Sequence, residues 1–379
     1  MEKVIYIREY FDEVETTSEH NGYFCSVGEA LTIVILGSLC GLRNVSQIHQ
    51  WASNQRISEF LAKHFSIRII PSYYWLLCLL KLVKPKSLNQ CFINWTQSFL
   101  PEQRENLTIS FDGKTIRSTG KMDNYDSPMH IVSAQVAELG ITYGQCTVNG
   151  KSNETPAVRD LLALLDVKGC LVVADALNCQ KDTAKAILNG KADYLLSVKD
   201  NQQTLKEDIE DYVQDDDLRK TMDMLSTAEK QSGRIERRTS YATNDVDWLL
   251  GKEEWAGLLC IGAVNTQFTT KKGTTNEWHY YISSRRLTAE ELLRHARLEW
   301  SVETMHWMLD VHWEEDYCRV ENMNVQQNLN MLRKIALNSI KVYKDKTGSK
   351  LPVSKMMLDC LVDCENILPL LSKMKLSES

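Results

Sequence analysis

LTISFDGK (107–114) is where this sequence changes character. Upstream of it, apolar residues recur at helical spacing; from Leu107 onward they alternate or run together as strands do. MHIVSAQVA (129–137) alternates, and ITYGQCTV (141–148) follows Gly140 at a tight turn, so 107–148 predicts a meander of three antiparallel strands. ETPAVRDLLALL (154–165) then carries Val158, Leu161, Leu162 and Leu165 on one helical stripe. LVVADA (171–176) is a continuous apolar run of the kind that a strand buried on both faces shows. KDTAKAILN (181–189) reads as helix, ADYLLSV (192–198) as strand and QTLKEDIEDYV (203–213) as helix.

Three meandering strands followed by helix, strand, helix, strand and helix is the element order of an RNase H-like mixed sheet with flanking helices, so the expected class is α/β. In that order the first and fourth strands are neighbours. Working outward, residues 1–100 predict a helical N-terminal domain, with apolar spacing over Val27–Leu42, Val45–Ala62, Tyr73–Val83 and Leu88–Phe99. Pro101 marks its boundary. Residues 214–287 interrupt the pattern with an acidic run, DDD (215–217), and strand-like RIERRTSYAT (234–243), LLCIGAVNTQF (258–268) and EWHYYISS (277–284). They predict a β-rich insertion that leaves the main sheet. One helix resumes at TAEELLRHARLEWSVETMHWMLDV (288–311), its start fixed by Thr288 and Glu291 as a capping box. A last helix, VQQNLNMLRKIALNSIKVYK (325–344), closes a 101–345 domain, and 346–379 reads as a tail.

Composition narrows the class less than pattern does. Apolar residues make up 43% and charged residues 25% of 379, an ordinary globular balance. The apolar run Ala30–Leu42 is too short to cross a bilayer, and MEKVIYIREYFDEVE lacks a signal-peptide core, so a cytoplasmic protein without membrane contact is expected. The eleven cysteines are odd in number, irregularly spaced and without a CxxC, as small buried hydrophobes would be. The net charge of −6 argues mildly against a nucleic-acid partner. The acidic excess, however, lies in 101–330, while both ends are slightly basic.

Three carboxylates stand where chemistry would need them. Asp112 ends a strand and is followed by Gly-Lys; Asp175 ends the apolar strand LVVA. Either residue could also serve as a turn or cap. Glu303 shares a helical face with Trp300, His306, Trp307 and Asp310, where a structural ion-pair face is the competing reading. Carboxylates that converge from distant segments suit hard divalent cations, which clamp the attacking and leaving oxygens of a phosphodiester exchange.

ISFDGKTIRS (109–118), HIVSAQVAELG (130–140), KSNET (151–155), VVADALNCQK (172–181), ADYLLSVKDNQ (192–202), SGRIERR (232–238), RHARLEWSVETMHWMLDV (294–311) and QNLNMLRKIALNSIK (327–341) make the reading specific. Over about 25–345 the chain resembles bacterial insertion-sequence transposases of the H-repeat-associated (ISAs) group, within the DDE superfamily. The resemblance implies Asp112, Asp175 and Glu303 as catalytic metal ligands for two Mg²⁺ ions, with Mn²⁺ as substitute. Glu154 and Asp316 fall outside that set. It also implies double-stranded DNA as partner, both terminal repeats and target, a homodimer on the DNA, and end recognition by the N-terminal helices. A nuclease that does not join strands shares these residues, whereas a relative that only binds DNA, the other alternative, is disfavoured by the presence of all three carboxylates. A related signature places an Arg before the Glu and an Asn after it; Arg297 supplies the first, but position 304 is Thr. Lys114, Lys199, Asn201, Gln202, Arg234, Arg237 and Arg238 are candidates for DNA contact, each with a surface ion pair or polar turn as alternative. His306 and Asp310 are candidates to orient Glu303. Arg319 and Arg333 match basic positions of the group and are equally readable as structural.

Overall fold

Helix starts in this chain are written in side chains. In the computed structural model, which describes residues 6–18, 24–117, 119, 128–149, 154–231, 234–270, 273–299, 301–318 and 320–371, a short α1 (Tyr6–Phe11) precedes α2 (Val27–Leu39). α2 opens on a full capping box, in which Ser26 Oγ accepts the Glu29 N–H and the Glu29 carboxylate accepts the Ser26 N–H. Asn44, Asn54 and Ser72 cap α3 (Val45–Ala52), α4 (Gln55–Phe65) and α5 (Tyr73–Leu82), and Pro85 is the first residue of α6 (Pro85–Gln97). Strands β1 (Thr108–Thr115), β2 (Met129–Val136) and β3 (Ile141–Asn149) follow, then α7 (Glu154–Leu164), β4 (Leu171–Ala174), α8 (Lys181–Asn189), β5 (Asp193–Val198), α9 (Gln203–Gln214) and the single turn α10 (Asp216–Arg219). β6 (Asp223–Gln231), β7 (Arg234–Thr243), β8 (Cys260–Thr270) and β9 (Gly273–Ser283) come next, and helices α11 (Ala289–Glu299), α12 (Ser301–Trp313), α13 (Met323–Thr347), α14 (Val353–Val362) and α15 (Ile367–Leu371) complete the chain. No helix among the described residues is long and apolar enough to cross a membrane, and the eleven cysteines are free thiols.

The chain divides into two compact units. The first comprises Met1–Glu102, Gly113–Asn153 and Glu303–Ser379. The N-terminal helices are therefore not a unit of their own, because α13, buried along most of its length, packs against α2, α5, α6 and β3. β2 and β3 pair antiparallel as expected, with a bulge at Ala134/Gln135. Of the residues read as a tail, those described, 346–371, fold back as helix: Met356, Met357, Cys360, Ile367, Leu370 and Leu371 of α14 and α15 are buried, and Asp363 accepts from Arg56 Nη2 at 2.7 Å. Their apolar spacing was too short a pattern to stand out. At the centre of this unit Lys334 is fully enclosed, its ammonium donating to Ser133 Oγ (2.8 Å) and Gln145 Oε1 (2.7 Å).

The second unit comprises Gln103–Asp112 and Glu154–Val302. Its sheet runs β1-β4-β5-β9-β8-β7-β6. β1 pairs parallel with β4 (Ile109 with Val172, Phe111 with Ala174), β4 parallel with β5, and β5 antiparallel with β9. The mixed α/β class and the β1–β4 neighbourhood are those the sequence predicts. The insertion is β-rich as expected, but it does not leave the sheet: β9 hydrogen-bonds to β5 and carries β8, β7 and β6 outward. Pairing satisfies the edge that β5 would otherwise expose. α11 covers one face of this extension, with Leu292, Leu293 and Ala296 packed among Leu171, Val173, Leu195, Val264 and Tyr281. The predicted capping box at its start is present, the Thr288 N–H reaching Glu291 Oε2 at 2.8 Å and the Glu291 N–H reaching Thr288 Oγ1 at 3.2 Å. Of the helix expected over 288–311, Ala289–Glu299 and Ser301–Trp313 are helical, and Trp300 between them lies outside the described residues.

Candidate active site

Register brings the first two carboxylates together. Phe111 and Ala174 are the last partners in the parallel β1–β4 pair, so Asp175, just past the end of β4, and Asp112, inside β1 one residue beyond its pairing with β4, follow on the same level. Adjacent strands lie about 4.8 Å apart. Asp175 is half-buried and caps the 3-10 turn Ala176–Asn178. Burial pushes its carboxyl above the usual range, Glu154 and Asp112 push it the same way, and hydrogen bonds from Asn178 oppose them. Two carboxylates side by side where the parallel β1–β4 pairing ends offer the hard oxygen donors that divalent cations take.

α11 is latched to the same strand. His295 stays neutral, its pKa lowered by burial to about 4, and stands 2.8 Å from Thr108 Oγ1 through Nδ1. Arg294 approaches its Nε2 at 3.1 Å and can only donate, so Nδ1 carries the proton and donates to Thr108. Ser110 Oγ donates to the Leu298 carbonyl at 3.1 Å. Since 108 meets 295 and 110 meets 298, α11 runs in the direction of β1 and delivers the chain towards the Asp112 end.

Glu303 lies in α12 within the first unit and is exposed, as is Trp307, which is 59% exposed. The expected shared face divides here, because His306 turns into the buried side with Met305 and Leu309. Asp310 accepts from Lys114 Nζ at 2.6 Å, and Lys114 also reaches Glu315 (3.4 Å) and Asp316 (3.8 Å). Lys114 is thus held in an internal ion network rather than presented to solvent. Among the described residues no group of three or more His, Cys, Asp or Glu is gathered as a cation site.

The other sequence candidates separate by burial. Lys199 is exposed. Asn201 Nδ2 donates to the Ala176 carbonyl (2.7 Å) and Gln202 Nε2 to the Cys179 carbonyl (3.0 Å), so both amides brace the turn after Asp175. Arg237 is exposed on β7, whereas Arg238, one residue on, points to the opposite face, is buried and pairs with Glu236 and Glu229. Arg297 grips Glu229 with both terminal nitrogens, at 2.8 and 3.3 Å. Arg333 is buried and donates to the Arg43 carbonyl at 2.7 Å, a structural role. The Arg234 side chain and all of Arg319 lie outside the described residues. Sequence reading did not single out Asn178, and it set Glu154 apart from the site; both stand beside Asp175. Their presence in KSNET and VVADALNCQK was the available signal.

Comparison with known proteins agrees with this geometry. The family described as Transposase DDE domain matches residues 104–339, and one described as DDE_Tnp_1-associated matches 9–96. The chain is 35% identical over 285 residues to "Putative transposase YncI" of Escherichia coli O157:H7, covering 73% of each chain. It is 30% identical over 348 residues to "H repeat-associated putative transposase YhhI" of Escherichia coli (strain K12), covering 88% of this chain and 91% of that one. A cryo-EM structure of a piggyBac transposase synaptic complex with hairpin DNA aligns at TM-score 0.45 and 11% identity, over 100% of this chain and 83% of that one, too distant to carry weight. The extent of the family match and of the identity to these relatives makes this chain a member of the DDE-domain transposases, in the group of the H-repeat-associated proteins.

Proposed function

We propose that this chain cleaves phosphodiester bonds at the ends of an insertion sequence and transfers the strands to target DNA, with Asp112, Asp175 and Glu303 as ligands of two divalent cations. The observation that carries the reading is the juxtaposition of Asp112 and Asp175, each the residue after the last β1–β4 pair. Mg²⁺, with Mn²⁺ as substitute, would supply charge neutralisation at the attacking and leaving oxygens of the phosphate. Asp112 and Asp175 offer it hard oxygen donors from two rigid strands. The third ligand, Glu303, rests on the motif RHARLEWSVETMHWMLDV (294–311) within the matched transposase family. The exposed Arg237 and Lys199 are suited to backbone phosphates. Double-stranded DNA is the substrate, a homodimer the working assembly on it, and the cytoplasm, at the nucleoid, the place of action.

A supercoiled donor plasmid that carries the element ends, incubated with protein and Mg²⁺ or Mn²⁺, tests this directly. Joined products are expected. Asp112→Asn, Asp175→Asn and Glu303→Gln should each abolish cleavage and joining while DNA binding persists. Nicking without joining would make the protein a nuclease, and bound but intact DNA would make it a binder. An Asp175→Asn protein that still joins strands would overturn the ligand assignment.

A further inference from the structure

Asn178 has no exposed surface and sits in the 3-10 turn immediately after Asp175. Its side-chain amide nitrogen donates to Asp175 Oδ1 at 2.9 Å and reaches Glu154 Oε1 at 3.4 Å, and its backbone N–H donates to the same Asp175 oxygen at 3.3 Å. Its own Oδ1, buried, accepts no hydrogen bond. The amide orientation is therefore set by the two carboxylates it bridges and not by its acceptor. Glu154, 3% exposed, is the first residue of α7, where the helix N-terminus favours its charge.

The turn that carries Asn178 is braced on both sides. From α7, Thr155 Oγ1 donates to the Leu177 carbonyl at 3.4 Å, and after β5, Asn201 and Gln202 hold the Ala176 and Cys179 carbonyls. A turn fixed this way holds an amide still, and a still amide holds a carboxylate in one rotamer. Two donors occupy Asp175 Oδ1, which leaves Oδ2 to face a cation. A buried second carboxylate beside a metal ligand is costly unless a shared donor lies between them, and Asn178 is that donor.

We infer that Asn178 and Glu154 are a positioning pair for Asp175: Glu154 anchors the Asn178 amide, and the amide fixes the orientation in which Asp175 meets a divalent cation. The inference rests on the metal-ligand reading of Asp175 given above. Neither residue touches the reacting atoms.

The test uses the full-length protein and Mn²⁺ alone, without DNA. Free Mn²⁺ is followed by electron paramagnetic resonance during titration, with thermal unfolding and donor cleavage measured in parallel. Asn178→Ala and Glu154→Ala should each weaken Mn²⁺ binding by about tenfold or more, as loss of a ligand's supporting hydrogen bond does. Glu154→Gln keeps an acceptor for the Asn178 amide and should restore affinity to within about a factor of two or three of the parent. Should Asn178→Ala fail to fold, the two Glu154 variants, which leave the turn intact, carry the comparison. Wild-type affinity in both alanine variants, with Asp175→Asn deficient, would overturn the positioning role and leave the ligand reading standing. Undiminished Mn²⁺ affinity in Asp175→Asn would overturn the ligand reading itself.

Discussion

Asp175 is a strand end, a cap and a half-buried charge at once, and each role was readable to a different degree. The apolar run before it and the polar ALNCQ after it mark the strand end and the turn in the sequence. Its partners were not readable, because Asp112 and Glu154 lie 63 positions before it and 21 before it and meet it only through the sheet and α7. Arg237 and Arg238 make the same point in one dipeptide. A strand sends successive side chains to opposite faces, so one arginine meets solvent and the other meets Glu236 and Glu229 beneath α11. Arg237→Ala should weaken binding to any DNA and lower the slope of log affinity against log salt by about one, with folding unaffected. Arg238→Ala should instead remove the guanidinium that pairs with the buried Glu236 and destabilise the protein by about 3 kcal/mol, measured by urea unfolding. Equal salt slopes in the parent and Arg237→Ala would remove Arg237 from the DNA interface.

At the scale of elements, α11 earns its place by contact with two strands of different origin. It is latched to β1 by Thr108 and Ser110 and lies over β7 and β8 of the insertion. Close approach there depends on Gly262 in β8. A methyl group at that position would stand 2.4 Å from Leu292 Cδ2 and 2.7 Å from the Tyr241 carbonyl oxygen. Leu292 can move, but the carbonyl belongs to the neighbouring strand and cannot. Gly262→Ala should therefore cost about 1–3 kcal/mol and lower the melting temperature, and a variant as stable as the parent would show that the helix can ride outward freely. The periodic helices α2, α7 and α13 and the strands β2, β4 and β5 were legible because burial selects their apolar residues in a regular pattern. β6 was not: DMLSTAEKQ lies at the outer edge of the sheet, where backbone pairing alone, and little apolar burial, makes a strand.

At the scale of the whole chain, buried charge links stability to pH. Burial pushes the Lys334 ammonium from 10.5 down to about 7, with Glu315 opposing and Lys114 adding to the shift, and burial brings Lys341 to about 8. Between those values and 10.5 the unfolded chain holds protons that the folded chain has lost, so these lysines make stability rise with pH above about 7. Below about 7 Lys334 is protonated in both states and contributes no slope. Lys334→Met should flatten the rise relative to the parent, read by urea unfolding of both proteins from pH 7 to about 8, so that thiols, which ionise at about pH 8.5, contribute equally to the two. An unchanged slope would mean that Lys334 keeps its proton when folded.

What the sequence determined by itself follows from local physics: where most strands and helices lie, that Asp175 finishes a strand, that the insertion is β-rich, and, through its ordered motifs, membership of the DDE transposases. Tertiary structure alone decided that the insertion prolongs the main sheet through β5 and β9, that the N-terminal helices share a unit with α13, and that Val353–Val362 and Ile367–Leu371 are packed helices. It also decided that Lys114 and Arg238 are bound internally, that Arg297 is taken up in a surface ion pair with Glu229, and that Glu154 and Asn178 stand at Asp175. The reason is range. Periodicity reports which face of an element is buried, whereas strand partners, ion pairs and the neighbours of a buried carboxylate depend on contacts between residues far apart in the chain, which no local pattern encodes.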